Sequence, residues 1–125
     1  SGKTEPVKTD KLTQIVELSL LYDFYGELLK EQQQQIFEDY ILNDLSLSEI
    51  ADLQGISRQG VHDTVKRCSK QLVEYDNKLN LIDKFEKSKE KINRIKQCAE
   101  EASKTRELDR IEEIIELSKE VLELL

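Results

Sequence analysis

Residues 46–72, SLSEIADLQGISRQGVHDTVKRCSKQL, constrain the fold more than any other stretch. A first short helix is expected from about Ser48 to Gln54, with Ser46 as N-cap and Glu49 three residues on in the capping-box position. Gly55 falls where a tight turn needs a residue that accepts positive φ. Ser57 then caps a second helix that opens Arg58-Gln59-Gly60-Val61. Ala51 is small enough for the two helices to cross closely, and Ile50, Ile56, Val61 and Val65 supply apolar contacts between them. The spacing predicts a helix-turn-helix. Its second helix keeps Arg58, Gln59, His62, Asp63, Lys66 and Arg67 on the outer face, which are side-chain types that reach base edges and phosphates from a major groove. With the cap Ser57 and with Lys70 further along, these are the candidate nucleic-acid contacts. Arg58 and Gln59 stand where bases are read, and Lys66, Arg67 and Lys70 where the phosphate backbone is steadied.

The run LYDFYGELLKEQQQQIFEDYILNDLSLSEIADLQGISRQGVHDTVKR, Leu21 to Arg67, resembles the YlxM family of small bacterial proteins, itself similar to the region-four helix-turn-helix of sigma factors. The most specific segments are Leu21-Tyr22-Asp23-Phe24-Tyr25-Gly26, Asp44-Leu45-Ser46-Leu47-Ser48-Glu49-Ile50-Ala51 and Ser57-Arg58-Gln59-Gly60-Val61. The likeness continues through Tyr75, Leu79 and Phe85. It implies a cytoplasmic, non-enzymatic DNA-binding regulator, with a place in the signal recognition particle pathway implied by gene neighbourhood. The chain departs from the family pattern at Gly60, where a helix former is usual. It departs again at Gln32 to Gln35, which replace a basic stretch and remove possible phosphate contacts.

An apolar content of 38% with 36% charged residues and one proline favours long, solvent-laced helices over strands. The expected fold class is all-α: a sigma region-four-like helix-turn-helix bundle, without a wing, extended by long C-terminal helices. The expected division is a flexible tail over residues 1–10, a helix-turn-helix domain over 11–78 and a helical extension over 79–125. The opening Ser-Gly without Met reads as part of an expression scar. No run approaches the 18 apolar residues that suggest a membrane span, so no membrane insertion is expected. Cys68 and Cys98 are read as reduced thiols of a cytoplasmic protein, with no metal.

The net charge of −7 opposes indiscriminate nucleic-acid binding, but it is unevenly spread. Residues 1–45 carry four basic and nine acidic side chains, residues 46–72 four and three, and residues 73–125 eleven and fourteen. Phosphate neutralisation requires Lys or Arg, so one copy of the motif binds weakly at physiological salt. Between Lys84 and Lys96 six basic residues (Lys84, Lys87, Lys89, Lys91, Arg94, Lys96) meet only Glu86 and Glu90. They form either a solvated helix face or a basic strip that contacts phosphates.

Apolar steps of three and four predict helices elsewhere. One runs from Lys11, capped by Thr9 or Asp10, to about Leu29 through Ile15, Leu18, Leu21, Tyr22, Tyr25 and Leu28. A second, from about Glu31 to Leu42, is expected to bury Ile36, Phe37, Tyr40 and Ile41. The helix from about Leu79 to Ser103 has a thin stripe of Leu79, Ile82, Phe85, Ile92, Ile95, Ala99 and Ala102. The last, from about Thr105, has a coiled-coil-like seam of Leu108, Ile111, Ile115, Ser118, Leu122 and Leu125 beside Ile114, Val121 and Leu124. That seam either folds back on its own chain or pairs with a second copy as a homodimer.

No catalytic residues and no cofactor are expected. His62 has no nucleophile or carboxylate arrangement around it that makes a base, and no glycine-rich phosphate loop occurs. Three functions remain open: a DNA-binding regulator, an accessory factor that binds the RNA or protein of the signal recognition particle through the basic helix, and a protein-interaction adaptor.

Overall fold

The computed structural model describes the backbone of residues 7–125 and the side chains of residues 12–125. The described residues form helices and connections, with no strand among them. The order is α1 (Val7–Tyr25), a 3₁₀ turn (Gly26–Leu28), α2 (Glu31–Phe37) running into a π-helical segment (Glu38–Leu42), α3 (Leu47–Gln54), α4 (Arg58–Leu79), α5 (Leu81–Thr105) and α6 (Leu108–Leu124). They fall into two compact units, one ending at Leu79 and the other Asn80–Leu125. Of the expected tail, residues 1–6 lie outside the described residues, and from Val7 the chain is helical, ahead of the expected start at Lys11.

In the first unit α1, α2 and α3 all pack on α4. Tyr25, Leu29, Ile36, Phe37, Ile50, Val61, Cys68 and Leu72 are buried together as its core. Tyr22 stacks on Phe37 with ring centroids 5.2 Å apart and donates a hydrogen bond to Glu38. Burial and the Glu38 carboxylate both push the Tyr22 phenol well above its usual pKa. The Tyr25 hydroxyl donates to Asp76 Oδ1 at 2.6 Å, tying α1 to the far end of α4. Gly26 is the residue that lets this corner close: a Cβ there would meet the Tyr22 ring at 2.7 Å.

The π-helical segment revises one expectation. Tyr40 is exposed rather than buried, and Asp39 is buried instead. Widening the turn to i→i+5 bonds, as in Asn43 N to Glu38 O at 2.9 Å, carries each side chain further round the axis than an α-helical count allows. Buried Asp39 is satisfied by Gln35 Nε2 at 3.2 Å and Asn43 Nδ2 at 3.0 Å. Leu28 is likewise exposed where Leu29 is buried, because the 3₁₀ turn breaks the helical phase.

The second unit is an antiparallel hairpin, with Lys91 Nζ bound to Glu120 Oε1 at 2.5 Å, Arg94 to Glu113 at 2.9 Å and Arg110 to Glu101 at 2.8 Å. Asn80 and Arg106, both left-handed at φ 54° and 61°, stand before and after α5. Leu117 and Cys98 are its buried residues, with Ile95, Ile114, Val121 and Leu124 half-buried. The seam expected along α6 faces away from α5: Leu108 is 77% exposed, Ile115 51%, Leu122 70% and Leu125 87%. Arg110, Glu113 and Glu120 share a helical face with the buried Leu117, so their ion pairs to α5 lie along the inward face and the seam lies outward. The seam does not fold back on α5. Burial holds the thiols of Cys68 and Cys98 above their usual range, and the Glu113 carboxylate adds to this at Cys98.

Candidate nucleic-acid interface

The two helices of the motif are set by local chemistry at each end. Ser46 N donates to Glu49 Oε1 at 2.9 Å and Glu49 N donates to Ser46 Oγ at 3.1 Å, a complete capping box. The backbone N–H and hydroxyl of Ser46 hold the Glu49 carboxyl below its ordinary pKa. Gly55 turns the chain at φ 68°, where Ile56 N donates back to Ala51 O at 3.1 Å. Ser57 Oγ then accepts from Gly60 N at 2.9 Å and opens α4. Ile36, Ile50, Ala51, Val61 and Val65 form the core beneath, with Leu45, Leu47 and Ile56 packed against it. Ala51, a small side chain, is buried in this core where α3 packs on α4.

Val61, Val65, Cys68 and Leu72 bury one side of α4. Opposite them, Gln59, Asp63, Lys66 and Lys70 recur at i, i+4, i+7 and i+11 and so share one exposed stripe, flanked by Arg58 and His62 on one side and Arg67 on the other. Every one of these side chains is exposed. They are not all open-handed: Gln59 Nε2 donates to Asp63 Oδ1 at 2.9 Å, and His62 Nδ1 lies 3.7 Å from the same oxygen. Ser57 is spent on its cap. The remaining groups along the stripe are cationic donors.

The six basic residues of α5 are in the other unit and do not lie on one face. Lys91 and Arg94 turn toward α6 in their ion pairs, and Lys87 pairs with Asp83 at 3.0 Å. Lys84, Lys89 and Lys96 are exposed.

Sequence reasoning passed over a groove beside α4, lined by Lys30, Gln32, Gln33, Gly60, Thr64 and Arg67 among others. The glutamine run is tied up in local structure at three of its four positions. Gln33 accepts from Lys30 N at 3.1 Å, Gln34 donates to Leu29 O at 2.8 Å, and Gln35 binds Asp39. The signal for Lys30 was its place just before α2, but nothing local says that α2 begins alongside α4. Among the described residues no group of three or more His, Cys, Asp and Glu side chains is arranged to hold a metal, and no helix is long and apolar enough to cross a membrane.

Residues 12–114 match the family described as "Putative helix-turn-helix protein, YlxM / p13 like". A UPF0122 protein of Caldanaerobacter subterraneus subsp. tengcongensis is 51% identical over 81 residues, 65% of this chain and 69% of that protein. One of Thermoanaerobacter sp. is 44% identical over 104 residues, 83% of this chain and 86% of its own length. One of Halalkalibacterium halodurans is 39% identical over 97 residues, covering 78% and 89% respectively. The match runs through α3, Gly55 and α4, the elements that carry the exposed stripe, and on this ground the chain belongs to the UPF0122 family of helix-turn-helix proteins.

Proposed function

We propose that the chain is a cytoplasmic DNA-binding regulator that presents α4 to the major groove and performs no catalysis. The observation that carries this reading is the division of α4 into a buried apolar side and an exposed stripe with Arg58, Lys66, Arg67 and Lys70 on or beside it. Arg58 and Gln59 read bases near the helix N-terminus, while Lys66, Arg67 and Lys70 hold phosphates. Selection from a random duplex pool tests it. Arg58→Ala should flatten preference by about 1–3 kcal/mol at one position, and Lys66→Ala should weaken all sequences alike and lower the salt slope by about one. A pool that returns no enriched sequence contradicts the reading. A place in the signal recognition particle pathway, through RNA or protein bound by α5, is supported less well, because Lys87, Lys91 and Arg94 are already engaged by carboxylates.

The regulator acts as a homodimer. The outward seam of α6 steps 3, 4, 3, 4, 3 from Leu108 to Leu125. A seam of that period is complementary to a second copy of itself about a two-fold axis. Two linked motifs also compensate for the few cations in each one. Ile115→Asp should give a monomer with helix content nearly intact, read by light scattering and circular dichroism. A wild type that is monomeric at high micromolar concentration rules the dimer out.

A further inference from the structure

We infer that Gln59 and Asp63 act as one acceptor-rich reading element that selects a cytosine beside the base read by Arg58. The inference rests on the DNA-binding reading above and names what that face reads. A carboxylate only accepts hydrogen bonds, so the 2.9 Å contact requires the Gln59 amide nitrogen to face Asp63 and its oxygen to face away. A free glutamine at the start of a recognition helix reads adenine in two-point fashion, donating to N7 and accepting from N6. Here one amide proton is bound to Asp63 and the amide is held in a single orientation, leaving its carbonyl oxygen and one N–H toward a base edge, with the Asp63 carboxylate beside them. The pair therefore offers the Gln59 carbonyl oxygen and the second Asp63 oxygen, two acceptors one turn apart on an exposed stripe.

Base edges answer such a surface unequally. Cytosine N4 and adenine N6 donate into the major groove, whereas guanine O6 and N7 and thymine O4 only accept. Adenine also carries the N7 acceptor next to its amino group, which a carboxylate repels. Cytosine carries none there, and the guanine paired with it presents O6 and N7 to a cation. Arg58, on the flank of the same stripe, supplies that cation. Asp63 is thus the residue that sets the base choice. It also lowers general affinity, being the one carboxylate among Lys66, Arg67 and Lys70 on or beside the stripe.

Selection from a random duplex pool with the wild type, Asp63→Asn and Gln59→Ala, each checked for an unchanged melting temperature, tests the inference. The wild type should enrich cytosine at the position whose preference changes in Asp63→Asn. At that position Asp63→Asn should lose about tenfold of the discrimination between cytosine and thymine, while its affinity for non-target duplex rises severalfold at low salt. Gln59→Ala should weaken the same position or its neighbour. Enriched sites that are identical for wild type and Asp63→Asn, or a changed position that holds an A·T pair in the wild type, overturn this inference and leave the regulator reading standing. Enrichment of nothing by any of the three proteins overturns both.

Discussion

The helix-turn-helix unit and the α5–α6 hairpin are both helical, yet they are held by different forces. The first buries Tyr25, Ile36, Phe37, Ile50, Val61, Cys68 and Leu72 from α1, α2, α3 and α4 in one interior. The second buries Leu117 and Cys98 and relies on ion pairs between exposed or half-exposed side chains. Burial of several large apolar side chains stabilises by about 1.5–3 kcal/mol each, whereas a surface ion pair contributes about 0–1 kcal/mol. The motif is therefore built to hold its shape alone. The hairpin has the thinner interior and leaves the apolar seam of α6 outside it.

The sharpest way to break this contrast is to strike the crossing of α3 and α4. Ala51→Glu buries an unpaired charge and should cost about 3 kcal/mol or more, lowering the melting midpoint by about 10 °C or more. A mutant that melts with the wild type shows that the crossing tolerates opening. Next in size, Leu117→Ala should remove about 2 kcal/mol from the hairpin. Hydrogen exchange should quicken along α5 and α6 and stay unchanged in α3 and α4; equal quickening in both units denies their independence. Gly26→Ala forces a methyl group against the Tyr22 ring and should cost about 1–2 kcal/mol in a thermal melt. Glu120→Gln should cost less than about 1 kcal/mol, and molar salt should erase the difference from wild type. A larger, salt-insensitive loss would mean that the hairpin is more tightly built than its core suggests. The smallest effect is expected at Gly60. Alanine gains about 1 kcal/mol of helix propensity but sets its Cβ 3.1 Å from Ser57 Oγ, so a denaturant titration should show a net gain of a few tenths.

What the sequence disclosed was local. The capping box of Ser46 and Glu49, the left-handed Gly55 and the cap at Ser57 each depend on residues within four positions of one another. The exposed stripe of α4 follows from those boundaries and the helical period. What stayed hidden depended on phase or on distant partners. The π-helical segment put Asp39 inside and Tyr40 outside, an exchange that no count at 3.6 residues per turn anticipates. In α6 two apolar stripes competed, and which of Leu117 and Ile115 turned inward depended on partners in α5, 19 to 29 residues away along the chain. Lys30 joins the groove beside α4 only through the packing of α2 on that helix, and the Gln59–Asp63 hydrogen bond was not among the contacts read from the sequence, although the two residues stand four apart. Its consequence for base choice needed the donor and acceptor to be identified.

The two cysteines give each unit its own clock. Cys68 sits in the interior of the motif and Cys98 in the thin core of the hairpin, and both thiols are kept protonated by burial. Alkylation requires an exposed thiolate, so each residue reacts only as often as its surroundings open. Modification of Cys98 measures the breathing of α5 against α6, and modification of Cys68 measures the breathing of the motif. Mass spectrometry of a single timed reaction separates the two rates without a label or a substitution. Any partner that covers the hairpin would slow the first and leave the second running.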